Sequence, residues 1–167
     1  MGFTESLHPL SVSGALRAAA LRTPGRVALV QAGQAVTYGE ILSTLDAAPP
    51  AAEDPIERAL LLRALDNIVE FPVFDRDGVS ACTLPLDSPL GALAATITML
   101  LGATLHVVDL PALAAGIADG RFHICWLRAD EALAVRPPAS FRMAFCQGAP
   151  ARELADSVGA DRVSEPV

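Results

Sequence analysis

The chain has 167 residues and a mass of 17.3 kDa, enough for one domain with its own core. Apolar residues make up 52% and charged residues 19%, with a mean hydropathy of +0.42, which excludes intrinsic disorder. The net charge of −7 argues against nucleic acid or an anionic membrane as partner, and all twelve basic residues are arginine, so chemistry that needs a lysine is excluded.

Ser13–Arg22 reads as an amphipathic helix stopped by Thr23-Pro24, because the residue before a proline avoids the helical region. Val27–Gln31 and Ala35–Thr37 read as strands of a hairpin around Gly33. Thr37 and Glu40 have capping-box spacing, which predicts a helix over Gly39–Ala47. The run Ala47–Ala52 is a breaker, so an internal boundary is placed near 47–54. Asp54-Pro55-Ile56-Glu57 opens another helix, running to about Val69. After a loop over Phe71–Gly78 the pattern alternates. Strands are expected at Val79–Leu84, Thr104–Val108, Phe122–Leu127 and Phe141–Cys146. Helices are expected at Gly91–Leu101, Leu110–Asp119, Asp130–Val135 and Ala151–Val158. The fold class is therefore α/β: a parallel or mostly parallel sheet with helices on both faces, plus an N-terminal helix–hairpin–helix segment. Ser88–Val108 carries no formal charge over a length that could span a bilayer, but Gly102 divides it into a helix and a strand, so no membrane span is expected. Met1–Leu10 has no basic stretch followed by an apolar one, and Cys82, Cys125 and Cys146 form no C-x-x-C pair; a cytoplasmic protein with reduced thiols is expected.

Three segments, taken in order, resemble one family. They are S-G-A-L-R-A-A-A-L-R-T-P-G-R-V-A-L-V (Ser13–Val30) with V-T-Y-G-E-I-L (Val36–Leu42); D-R-D-G-V-S-A-C-T-L-P-L-D-S-P-L-G-A-L (Asp75–Leu93) with L-L-G-A-T-L-H-V-V (Leu100–Val108); and F-R-M-A-F-C-Q-G-A-P-A-R-E-L (Phe141–Leu154). Together they resemble the N-terminal domain of the AMP-forming acyl/aryl-CoA synthetases, luciferases and peptide-synthetase adenylation domains. The resemblance implies activation of a carboxylic acid by ATP as the ancestral chemistry. It also implies that Gly148, Ala149 and Pro150 stand where the family's adenine-side turn lies. The departures are as informative. Ala47–Gly78 replaces a long segment that in the family carries a Gly-rich phosphate loop ending in lysine. Ser88 stands at the family's histidine position, and Gln147 replaces the first glycine of the adenine-side turn.

Parallel α/β sheets bind ligands at the carboxyl ends of their strands. Asp87, Ser88, Asp109 and Gln147 fall there and are the candidate pocket residues, Asp87 and Asp109 having helix capping as their alternative role. His123 and Cys125, two apart, are expected on one side of a strand, and Cys146 could meet His106 only if the sheet brings their strands together. No catalytic residue, metal or cofactor is assigned. The expected function is a shortened, non-catalytic relative acting as an accessory or interaction subunit in acyl metabolism, with self-association or a protein partner. The alternatives are a binding domain for an acyl or adenine-containing small molecule, and an enzyme with new chemistry in the old pocket.

Overall fold

The computed structural model describes residues 12–48, 54–71, 74, 77–135, 143–147 and 163–164. Helix α1 (Val12–Arg22) leads into strands β1 (Val27–Gln31) and β2 (Gln34–Thr37). These strands pair antiparallel across Ala32 and Gly33, both at positive φ, the conformation that matches the twist of a two-residue hairpin. Helix α2 (Tyr38–Ala47) starts on a complete capping box: the Thr37 hydroxyl accepts from the Glu40 N–H at 3.3 Å, and the Glu40 carboxylate accepts from the Thr37 N–H at 2.7 Å. Those bonds hold the Glu40 carboxyl below its ordinary pKa. Arg17 of α1 pairs with Asp46 of α2, tying the first two helices together. The N-terminal helix–hairpin–helix is therefore present.

The next part is a doubly wound core. It comprises α3 (Pro55–Glu70), β3 (Val79–Cys82), α4 (Pro89–Leu100), β4 (Thr104–Val107), α5 (Leu110–Ala118), β5 (Ile124–Arg128), α6 (Ala129–Ala134) and β6 (Met143–Gln147). A two-residue strand, β7 (Val163–Ser164), closes the series. The sheet order is β2-β1-β4-β3-β5-β6-β7, and every described pairing except β1 with β2 is parallel. The α/β reading is thus correct, with the hairpin built into the edge of the same sheet.

Alternation along the strands sorts the core. Cys82, Leu105, Ile124 and Trp126 pack under α3 and α4 with Leu93 and Ile97. Ala81, Cys125 and Leu127 point the other way, onto Leu113 and Ile117 of α5. Helices consequently cover both faces. A third cluster joins Ala19, Ala20, Ala28, Tyr38 and Met99, and the buried Tyr38 hydroxyl donates to the Ala103 carbonyl at 2.7 Å. Burial pushes the pKa of that phenol up to about 12. The uncharged stretch divides as expected: α4 ends in a Schellman motif, where Gly102 at φ +72° lets its own N–H reach Met99 and the Ala103 N–H reach Thr98. Among the described residues no helix is long and apolar enough to cross a membrane.

Several boundaries differ from the sequence reading. β3 stops at Cys82 because Pro85 lacks an N–H and the chain turns there; β5 begins only at Ile124 because Phe122 tucks under Gly116. α4 begins at Pro89, the favoured first helical position. The expected helix at 151–158 and the breaker at 49–52 lie outside the described residues.

Candidate functional site

Winding leaves β3 toward β4 on one side and crosses back to β5 on the other, so the switch point lies beside β3. The carboxyl ends of β3, β4, β5 and β6 open there, and after β3, β4 and β5 polar side chains engage the exposed backbone groups. After β3 the chain turns through Pro85 to Ser88, whose hydroxyl donates to the Pro85 carbonyl at 2.6 Å and accepts from the Gly91 N–H at 3.1 Å. Ser88 is thus the N-cap of α4, and Asp87 is exposed in the preceding turn, not the cap. After β4, the Asp109 carboxylate accepts from the Ala112 N–H at 2.9 Å and caps α5. After β5, Glu131 reaches back: one carboxylate oxygen accepts from the Arg128 N–H at 3.0 Å and from the Thr83 hydroxyl at 2.7 Å. Arg128 lies 3.3 Å from Asp130 and 3.7 Å from Glu131. Gln147 ends β6 directly beside Arg128 in the parallel ladder. Gly148, Ala149 and Pro150 lie outside the described residues.

Asp87, Ser88, Asp109 and Gln147 therefore share one end of the sheet, as their positions in sequence suggested. Sequence reasoning missed the Thr83–Glu131 contact that ties β3 to α6. The signal was present, since Glu131 is three residues after Arg128, the spacing of the reciprocal half of a capping box. What could not be read was Thr83, 48 residues away, as its second donor.

The other constellations separate. β4 and β6 lie three strand spacings apart, about 14 Å, so His106 and Cys146 form no pair. His123 precedes β5 and does not share its strand with Cys125. His106 sits 5.3 Å from the Phe122 ring, and burial, with Arg121 nearby, lowers its pKa. Cys82 is a buried thiol whose pKa is raised to about 11 by burial, so at neutral pH it is not a nucleophile. Among the described residues no three His, Cys, Asp or Glu side chains come together as a metal-binding group.

The caps give a direct test. Replacing Ser88 or Asp109 by Ala should each cost about 1 kcal/mol in urea denaturation, whereas Asp87→Ala should stay within about 0.5 kcal/mol. Equal, negligible effects at all three positions would contradict the assigned hydrogen bonds.

No protein-family model matches the sequence, and no curated protein matches it. Solved structures do match in fold. o-Succinylbenzoate CoA synthetase (MenE) from Bacillus subtilis superposes with a TM-score of 0.63 at 11% identity, over 86% of this chain and 55% of that one. Mycobacterium smegmatis MbtA gives 0.67 at 13% identity, over 92% and 55%. CmiS6 gives 0.64 at 12% identity, over 98% and 72%. The chain thus spans about half the length of the first two. At these identities the likeness is one of fold alone: the chain has the α/β fold seen in the N-terminal domains of acyl-CoA synthetases and adenylation enzymes.

Proposed function

We propose that this chain is a cytoplasmic, non-catalytic accessory protein of acyl metabolism on the adenylate-forming fold, working through contact with a second copy or another protein. The observation that carries this reading is the use of polar groups at the carboxyl ends of the strands. Ser88, Asp109 and Glu131 are each engaged by the chain's own backbone N–H groups, and Arg128 lies against Asp130 and Glu131. Transfer of an adenylyl group to a carboxylate depends on positioning and on neutralising phosphate charge. A chain with no lysine, whose α4 and α5 N-termini are closed by its own Ser88 and Asp109, offers little for that task. The 52% apolar composition supports a role through surfaces, since apolar area left uncovered favours association. Buried reduced thiols at Cys82 and Cys125 suit a reducing compartment.

A second reading is favoured by one observation: the pocket candidates gather at the switch point, where α/β sheets bind ligands. Asp87, Ser88, Asp109 and Gln147, with Gly148, Ala149 and Pro150, would then hold an acyl or adenine-containing molecule without activating it.

ATP–pyrophosphate exchange with a panel of carboxylic acids decides the main claim. The expected result is no acid-dependent exchange above the protein-free background, and exchange that rises with one acid overturns it. Thermal shift on the same samples decides the second reading, because a ligand at 100 times its Kd should add about 2.7 kcal/mol of stability. No shift with AMP, CoA or acyl-CoA removes it.

A further inference from the structure

Helix α3 buries Leu61, Ala64 and Asn67 against the core beneath α4. It also carries a second apolar line that is left exposed among the described residues. Leu62 is 47% exposed, Leu65 40% and Val69 84%. Their spacing of three and four residues puts them, with Arg58, inside about 60° of helical arc, on the flank of α3 beside its buried stripe. That is the narrow seam of a two-helix contact, not the broader stripe of a helix lying on a core.

We propose that α3 is a self-association surface, pairing antiparallel with α3 of a second copy. The inference rests on the accessory-protein reading above and names its occupant. Charge selects both the occupant and the direction. With Leu62 opposite the partner copy's Leu65, each Arg58 faces the Val69 end of the other helix, where Asp66 flanks the seam. Both ends of the contact are then complementary. A parallel pair would instead set Arg58 against Arg58 and Asp66 against Asp66, which disfavours it. The seam is therefore self-complementary about a two-fold axis, the symmetry of most homodimers. A contact about three turns long is small for a protein interface, so the dimer should be weak, with a Kd on the order of micromolar.

Sedimentation equilibrium on the full chain tests this. The wild-type protein should dimerise in the micromolar range. Leu62→Glu with Val69→Glu should raise Kd by about 100-fold or more, because two charges enter each side of the seam. Arg58→Glu, a surface change that leaves the fold intact if the double variant unfolds, should weaken the dimer about tenfold. Adding Asp66→Arg to Arg58→Glu should restore it to within about threefold of wild type. A wild-type monomer throughout that range, or a dimer indifferent to Leu62→Glu/Val69→Glu, overturns the surface. Failure of the charge inversion to rescue overturns the antiparallel arrangement. Pyrophosphate exchange reads the non-catalytic claim independently, so the failure of one is distinguishable from the failure of the other.

Discussion

Replacing Trp126 by alanine should cost about 3–5 kcal/mol, the largest loss expected from any single side chain here. Trp126 is fully buried near the middle of the sheet, on β5 beside β3. Its ring stacks on Phe74 with centroids 5.8 Å apart and planes 10° from parallel. Phe74 in turn meets Phe71 edge-on at 6.5 Å, at the end of α3. Truncation removes the largest apolar surface in the core and leaves a cavity between the sheet and α3, which backbone on both sides keeps from closing. Against a typical domain stability of about 5–15 kcal/mol, such a loss should lower Tm by about 10 °C or more. Far-UV circular dichroism is the measurement, since the variant has no tryptophan to report by fluorescence. Trp126→Phe, which keeps a ring over Phe74, should recover more than half of the loss. Equal melting of Trp126→Ala and wild type would mean that Trp126 is not the keystone of this core.

Gly91→Ala should cost about 3 kcal/mol although it adds one methyl group. Gly91 stands in the first turn of α4, where the turn from β3 folds back across the helix. A Cβ there would lie 2.0 Å from the Pro85 carbonyl oxygen and 2.9 Å from the Ser88 hydroxyl. The first obstacle is backbone, held by the Ser88 N–H and hydroxyl, so it cannot swing aside as a side chain would. Relief requires the Pro85–Ser88 turn to move, which also breaks the cap on α4. Gly25→Ala is the control: nothing lies within 4 Å of its Cβ position, so urea denaturation should find it within about 0.5 kcal/mol of wild type. If the two variants denature together, the close approach at Pro85 is wrong.

The close approach also shows what the sequence could and could not announce. Local signals did well: Thr37 with Glu40, Pro55 after Asp54, and Gly102 after α4 each carry their own stereochemistry, and the structure uses all three. Alternation of strands and helices foretold a parallel sheet covered on both sides. Strand order was not legible, because nothing in Val27–Gln31 or Thr104–Val107 says that these segments are neighbours. The site was legible as an address. The carboxyl ends of the strands could be located, but the choice of Ser88 over Asp87 as cap depends on one residue of turn geometry, and the partnership of Thr83 with Glu131 on a contact between distant elements. The seam on α3 escaped because Leu62, Leu65 and Val69 alternate with residues that are buried; only burial separates the two lines.

The docking of β1 against β4 has a consequence for how the chain comes off the ribosome. The Thr104 hydroxyl donates to the Val27 carbonyl across 77 residues, and Leu29 sits in register with Leu105. The opening hairpin therefore has no parallel neighbour until the segment through Val107 has emerged. Closing so long a loop is entropically unfavourable, and unpaired strand edges invite aggregation in the interval. Synthesis should thus pass through a stage in which the β1–β2 ribbon, packed by α1 and α2, waits for the strand that completes its edge.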